Sequence, residues 1–203
     1  MSLTGYHTGR TVDKGEWRVL LSGNVYGTPY KSSELGIFSP SPSTPNDPYL
    51  NWFNGEMQVH FGLSENFDIG IRGNSDAMLG LMGKYQLLGS KTSAWAVSAG
   101  AELGIMLPAR LYAQMPLSFS YHPNEFTSFY ISPRLVKERQ FLEGTETTNI
   151  DYIGGNIGFQ TGERTIFAAE IGLYRFSRFS ETMFFPDKLD EKARPIFGIG
   201  LIF

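Results

Sequence analysis

The sequence predicts an all-β chain closed into a single antiparallel up-and-down transmembrane β-barrel, with ten strands. Three observations lead there. Apolar and polar residues alternate with period two from Gly15 to Phe203, as in strands with two unlike faces. Short connections alternate with mostly longer ones, so that one end of the strand set carries only tight turns. One face of every strand carries a run of at least four successive uncharged, mostly apolar positions, while the other is polar and rich in glycine. Eight strands is the nearest rival, reached if 56–63 or 195–203 fails to pair.

The strands are expected at 16–26, 56–63, 67–74, 79–88, 94–105, 111–121, 126–137, 150–160, 165–176 and 195–203. Tight turns fall at Ser64–Asn66, Gly89–Ser93, His122–Glu125 and Thr161–Arg164. Between them lie two long connections, 27–55 and 177–194, an intermediate one at 138–149, and short ones near 74–78 and 106–110. The segment 39–48 holds four prolines in ten residues, which rules out a central strand there. No run keeps a 3.6-residue period with caps, so helices are not expected. Residues 1–14 read as a leader ahead of one barrel domain, 15–203, with 27–55 and 177–194 as its long loops.

Odd-numbered positions carry the apolar face. Strand one gives Trp17, Val19, Leu21 and Val25; strand four gives Leu81, Tyr85 and Leu87; strand ten gives Phe197, Ile199, Leu201 and Phe203. Even positions carry Arg18, Glu56, His60, Asp68, Arg72, Lys84, Glu102, Arg134 and Glu170, with many glycines. A soluble barrel would turn its apolar face inward, but a ten-strand bore cannot hold so many large side chains. The polar face fits inside, which leaves lipid as the solvent of the odd face. Within that face Trp17, Phe67, Trp95 and Phe167 begin strands, and Phe61, Tyr85, Tyr121, Phe159 and Phe203 end them. All lie near a tight turn or a terminus, as a ring of interfacial aromatics at one height requires.

Composition narrows function. With 203 residues, a net charge of −3 and no cysteine, nucleic-acid binding, disulfides, thiolate chemistry and cysteine-ligated metals drop out. No apolar run is long enough for a membrane helix. Mean hydropathy near zero is what alternating strands give.

The ending Gly198-Ile-Gly-Leu201-Ile-Phe203 resembles the C-terminal signal of Gram-negative outer-membrane β-barrel proteins, and the turn 63–70 resembles their periplasmic hairpins. The resemblance implies a bacterial outer-membrane location and periplasmic termini. It also implies assembly by the barrel-assembly machinery through Gly198, Leu201 and Phe203. The stretch from Tyr6 to Trp17 looks like the leader of barrels whose mature form begins with a lipidated cysteine; no cysteine is present here.

No nucleophile elbow, zinc motif, phosphate loop or dinucleotide fingerprint occurs. His60 and His122 fall near the turn end and His7 precedes the barrel, so no histidine reaches the loop rim where an outer-leaflet enzyme would work. Asp187, Asp190 and Glu191 read as solvated loop charges rather than a cation site. Trp52, Phe53, Met183, Phe184 and Phe185 are loop aromatics and apolar residues that either bind or pack. The expected protein is a monomeric, non-enzymatic, cofactor-free barrel in contact with the bilayer, with a binding, surface or structural role. Its lumen charges, in three layers by height, form a salt-bridged filling, and Arg134 pairs with Glu102. A narrow solute channel is the first alternative and an outer-membrane enzyme the second.

Overall fold

A computed structural model describes Tyr6 and residues 8–27, 51–107, 110–141, 148–178 and 193–203. Ten antiparallel strands close into a barrel: β1 (Trp17–Gly27), β2 (Asn51–Ser64), β3 (Phe67–Asn74), β4 (Met78–Leu88), β5 (Trp95–Met106), β6 (Arg110–Asn124), β7 (Thr127–Gln140), β8 (Thr148–Thr161), β9 (Ile166–Arg178) and β10 (Arg194–Ile202). Each strand pairs with its neighbours in sequence, and β1 pairs with β10 from Leu20↔Ile202 to Tyr26↔Ile196. Phe203 extends that seam, exchanging two main-chain hydrogen bonds with Val19 at 2.8 and 3.0 Å.

Closure removes the exposed sheet edges and makes the two faces unequal. On β4, Leu81 is 68% exposed whereas Lys84, three residues on, is 8% exposed. The odd face therefore points outward and the even face inward, as the alternation requires. Register puts the outer aromatics at a common height: Trp17↔Phe61, Phe67↔Tyr85, Trp95↔Tyr121 and Phe129↔Phe159 are direct partners. The Trp17–Phe61 and Trp95–Tyr121 rings lie 4.7 and 4.6 Å apart.

Several strands outrun their expected ends on the loop side. β2 begins at Asn51 rather than 56, so Trp52 and Phe53 belong to a strand and not to a loop. Phe53 is exposed on the outer face, and its ring covers Gly23, where a Cβ would meet it at 3.0 Å. β7 and β8 also run further, to Gln140 and from Thr148. Beyond the apolar belt their outward positions turn charged: Lys137 bonds Asp151 at 3.1 Å across the pair. Apolar alternation stops where the belt stops, while the main-chain ladder continues past it.

Inward positions alternate large and small. Tyr130 lies against Gly158, Tyr112 against Gly80 and Gly104, and Tyr174 against Gly154. A Cβ on Gly158 would sit 2.4 Å from the Tyr130 ring. The tyrosines pack against bare backbone, at Gly158, Gly104 and Gly154 on the neighbouring strand and at Gly80 one strand further on, which fits bulky rings into a narrow bore.

Candidate functional site

The bore is occupied by the chain's own N-terminal segment. Tyr6 and residues 8–14 do not stand ahead of the barrel as a separate leader; they run round its inner wall at the turn end, and Tyr6, Thr8, Thr11 and Val12 are buried there. Running back from β1, Gly15 donates to Gly62 of β2 at 2.8 Å. Val12 N donates to Asp68 of β3 at 3.0 Å, and Thr11 N to Gln86 of β4 at 3.0 Å. Lys84 of β4 donates to Arg10 O at 2.8 Å. Ser98 of β5 reaches Thr8 O at 3.4 Å, and Gly9 N donates to Ser120 of β6 at 2.8 Å. Gln160 of β8 donates to Tyr6 O at 2.7 Å, Tyr6 N to Glu170 of β9 at 2.9 Å, and the Tyr6 hydroxyl to Asn24 of β1 at 2.8 Å.

Close packing explains two glycines. A Cβ on Gly9 would lie 2.2 Å from Ala96 O, and one on Gly62 2.1 Å from Asp13 O. Neither contact admits a larger residue without moving main chain. At the mouth, Lys91 bridges Asp13 and Glu65, tying the segment to two turns. Slight burial works to lower the Lys91 pKa, but the hydrogen bonds to Asp13 and Glu65 outweigh it and hold the pKa above the ordinary value.

The charges assigned to the lumen by alternation all lie on the inner face. His60, Asp68, Arg72, Lys84, Glu56, Glu102, Arg134 and Glu170 are buried, and Arg18 is half-buried at the mouth opposite His60. Their grouping differs from three layers. Lys84 belongs with the turn-end set, 3.4 Å from Asp68, which also lies 3.3 Å from His60. Glu56 and Glu102, expected further out, share Arg72 at 3.0 Å each. Tyr112 and Gln114 also donate to Glu102. The Glu102 carboxylate is thus taken by Arg72 and not by Arg134, whose Nε reaches Ser132 at 3.3 Å. Counting residues from the turns ignores register: Asp68 and Lys84 are direct partners on β3 and β4, which sets them at one height.

Glu170 forms a third centre, accepting from Tyr130 at 2.7 Å, from Asn156 and from Tyr6 N. A fourth was not foreseen: Arg110 meets Glu138 at 3.1 Å, and Tyr152 donates to the same carboxylate. Both ionic residues lie at the loop end, beyond the belt that revealed the strands. Nearby, inward residues become apolar, with Val136, Ile150, Tyr152, Tyr174, Phe176 and Ile196 in one cluster and Met78, Met106 and Tyr112 in another. A small cavity beside His60, Lys84, Ser98 and Glu102 has room for about one water molecule.

Ser120 Oγ lies 2.8 Å from His122 Nε2, the spacing of a nucleophile and its base. The same oxygen is covered by Gly9 N, so the pair anchors the segment. Gly198 faces inward beside Asn24, and Leu201 and Phe203 point outward. Met183, Phe184 and Phe185 lie outside the described residues, as does the side chain of Trp52. Compared with known proteins, the sequence matches no family model and no curated relative.

Proposed function

We propose that this chain is a monomeric integral barrel of the bacterial outer membrane, non-enzymatic, with a closed bore and a structural or binding role. The apolar belt carries this reading. About thirty large apolar side chains are exposed around the barrel. At roughly half exposure each, they present on the order of 2,500 Å2, several times the largest apolar patch of ordinary soluble monomers. Leaving that area in water would cost on the order of 60 kcal/mol, more than any domain's net stability. Hydrocarbon removes this cost, and the aromatic ring at the turn end suits the headgroup boundary. Gly198, Leu201 and Phe203 are the residues the assembly machinery would read. The segment along the wall and the paired charges support a non-conducting bore. The cover over Ser120 supports a non-enzymatic role.

The test is tryptophan quenching after refolding into vesicles of brominated lipid. Trp17 and Trp95, exposed at the ring, should be quenched most by bromines near the headgroups. Planar bilayers holding the same protein should show no stable conductance. A protein that stays dispersed without detergent, its tryptophans unquenched, would overturn the lipid reading.

A further inference from the structure

We propose that the bore is a binding site for a peptide that takes a bent course along the wall, entered from the turn end, and that Tyr6 and residues 8–12 are its resident ligand. The wall reads the main chain of this segment. Seven of its main-chain groups are satisfied by wall side chains: the N–H of Tyr6, Gly9, Thr11 and Val12, and the C=O of Tyr6, Thr8 and Arg10. Main-chain recognition by side chains tolerates varied sequences and selects instead for the course of the backbone, here a bend at Gly9 and Arg10 and a left-handed φ of 48° at Tyr6. Selectivity enters at two places. The position of Gly9 admits no Cβ against Ala96 O, and the position of Tyr6 places a hydroxyl on Asn24.

The wall is also prepared to stand without its occupant. Asp68 keeps Lys84 and His60, and Glu170 keeps Tyr130 and Asn156, when the segment leaves. Emptying the bore therefore strands neither carboxylate, and these wall groups are already oriented for a ligand. At the mouth the segment is tied by the partly exposed Lys91, by Arg10 to Ser93 O at 2.7 Å and by Thr11 to Glu65 O at 3.0 Å; a peptide of the same sequence restores the last two, and the exposed ion pair holds weakly. The ligand class is a peptide with a small residue where Gly9 lies and a hydroxylated aromatic where Tyr6 lies, presented by another chain. The inference rests on the bore alone, so its failure leaves the lipid-belt reading untouched.

The test uses the full chain in detergent micelles. Gly9→Val should unseat the segment and leave the wall intact. A fluorescent peptide with the sequence of residues 5–14 should then bind the variant saturably by anisotropy, and bind the occupied parent at least tenfold more weakly. Gln86→Met in the Gly9→Val background should weaken binding several-fold, and the same peptide carrying Gly9→Val should not bind. A heat-modifiable Gly9→Val barrel that takes up no peptide overturns the proposal. Should that variant not fold, hydrogen exchange on the parent decides. The amides of Tyr6, Gly9, Thr11 and Val12 should exchange together, at least tenfold faster than those of β3–β6. Protection equal to the strands would make the segment a permanent part of the wall and end the proposal.

Discussion

Removing Arg72 tests whether the centre of the bore is held by charge balance or by shape. Its guanidinium lies 3.0 Å from both Glu56 and Glu102, and all three side chains are sealed from solvent. At an effective dielectric of 20, each contact is worth about 5 kcal/mol of attraction, much of it offset by the cost of drying the ions. Arg72→Met keeps most of the stem and deletes the charge, leaving two buried carboxylates without it. The expected loss is about 3–5 kcal/mol. With a urea slope of about 2 kcal/mol/M, the unfolding midpoint falls by about 2 M. Trp17 and Trp95 report it by fluorescence in micelles. The triple variant Arg72→Met, Glu56→Gln, Glu102→Gln carries no buried charge at this centre; its residue-102 amide accepts from one of Tyr112 and Gln114 through Oε1 and donates through Nε2 to the oxygen of the other. It should return to within about 1 kcal/mol of the parent. A triple variant as unstable as the single one would refute the charge argument and leave packing as the cause.

Gly158→Ala forces a Cβ to within 2.4 Å of the Tyr130 ring and 2.8 Å of Ala169 O, and should cost about 1–3 kcal/mol in the same urea assay. Gly55→Ala, where a Cβ meets nothing within 4 Å, should stay within about 0.5 kcal/mol of the parent. Phe203→Ala keeps the main-chain seam and should cost only about 1–3 kcal/mol in refolding while lowering membrane insertion in cells. Deletion of Phe203 also removes its two bonds to Val19, so it should impair refolding more than the alanine variant does. Because the Lys91 pKa is raised on folding, its tether contributes fully below the unfolded amine's pKa, and the contribution disappears as pH climbs through the raised folded value. Urea midpoints of the parent and Lys91→Ala should differ by a small, constant amount near neutrality and converge above about pH 10.5.

The barrel was legible because its two faces differ. Leu81 and Lys84 write their faces plainly, and the partners Trp17 and Phe61 reveal a shared height before any register is known. The nine lumen charges followed from the same parity. The inward tyrosines obey it too: Tyr130 and Tyr112 are even-numbered and Tyr85 is odd, and Gly158 and Gly104 lie directly across from the two inward rings. The occupied bore was illegible for a different reason. Thr8 to Val12 binds through main-chain groups that every residue possesses, so side-chain patterning carries no trace of it. Gly9 and Gly62 were the available hints, and in a chain with 23 glycines they do not stand out.

The seam between β1 and β10 imposes an order of events. Leu20 finds Ile202, and Val19 finds Phe203, only after residues 194–203 have been synthesised. Until then β1 has a partner on one side and the cylinder is an open, curled sheet. Residues 8–14 lie on the concave side of that sheet and join directly to β1. They can be laid against β2 to β6 while the sheet is still open, with Gly62, Asp68, Gln86 and Ser120 taking them in turn. Closing first leaves the segment to enter afterwards through the mouth, past Glu65 and Lys91, the route a peptide from another chain would take. The zipper of β10 onto β1 is therefore the step that converts a segment resting on a sheet into one enclosed by it.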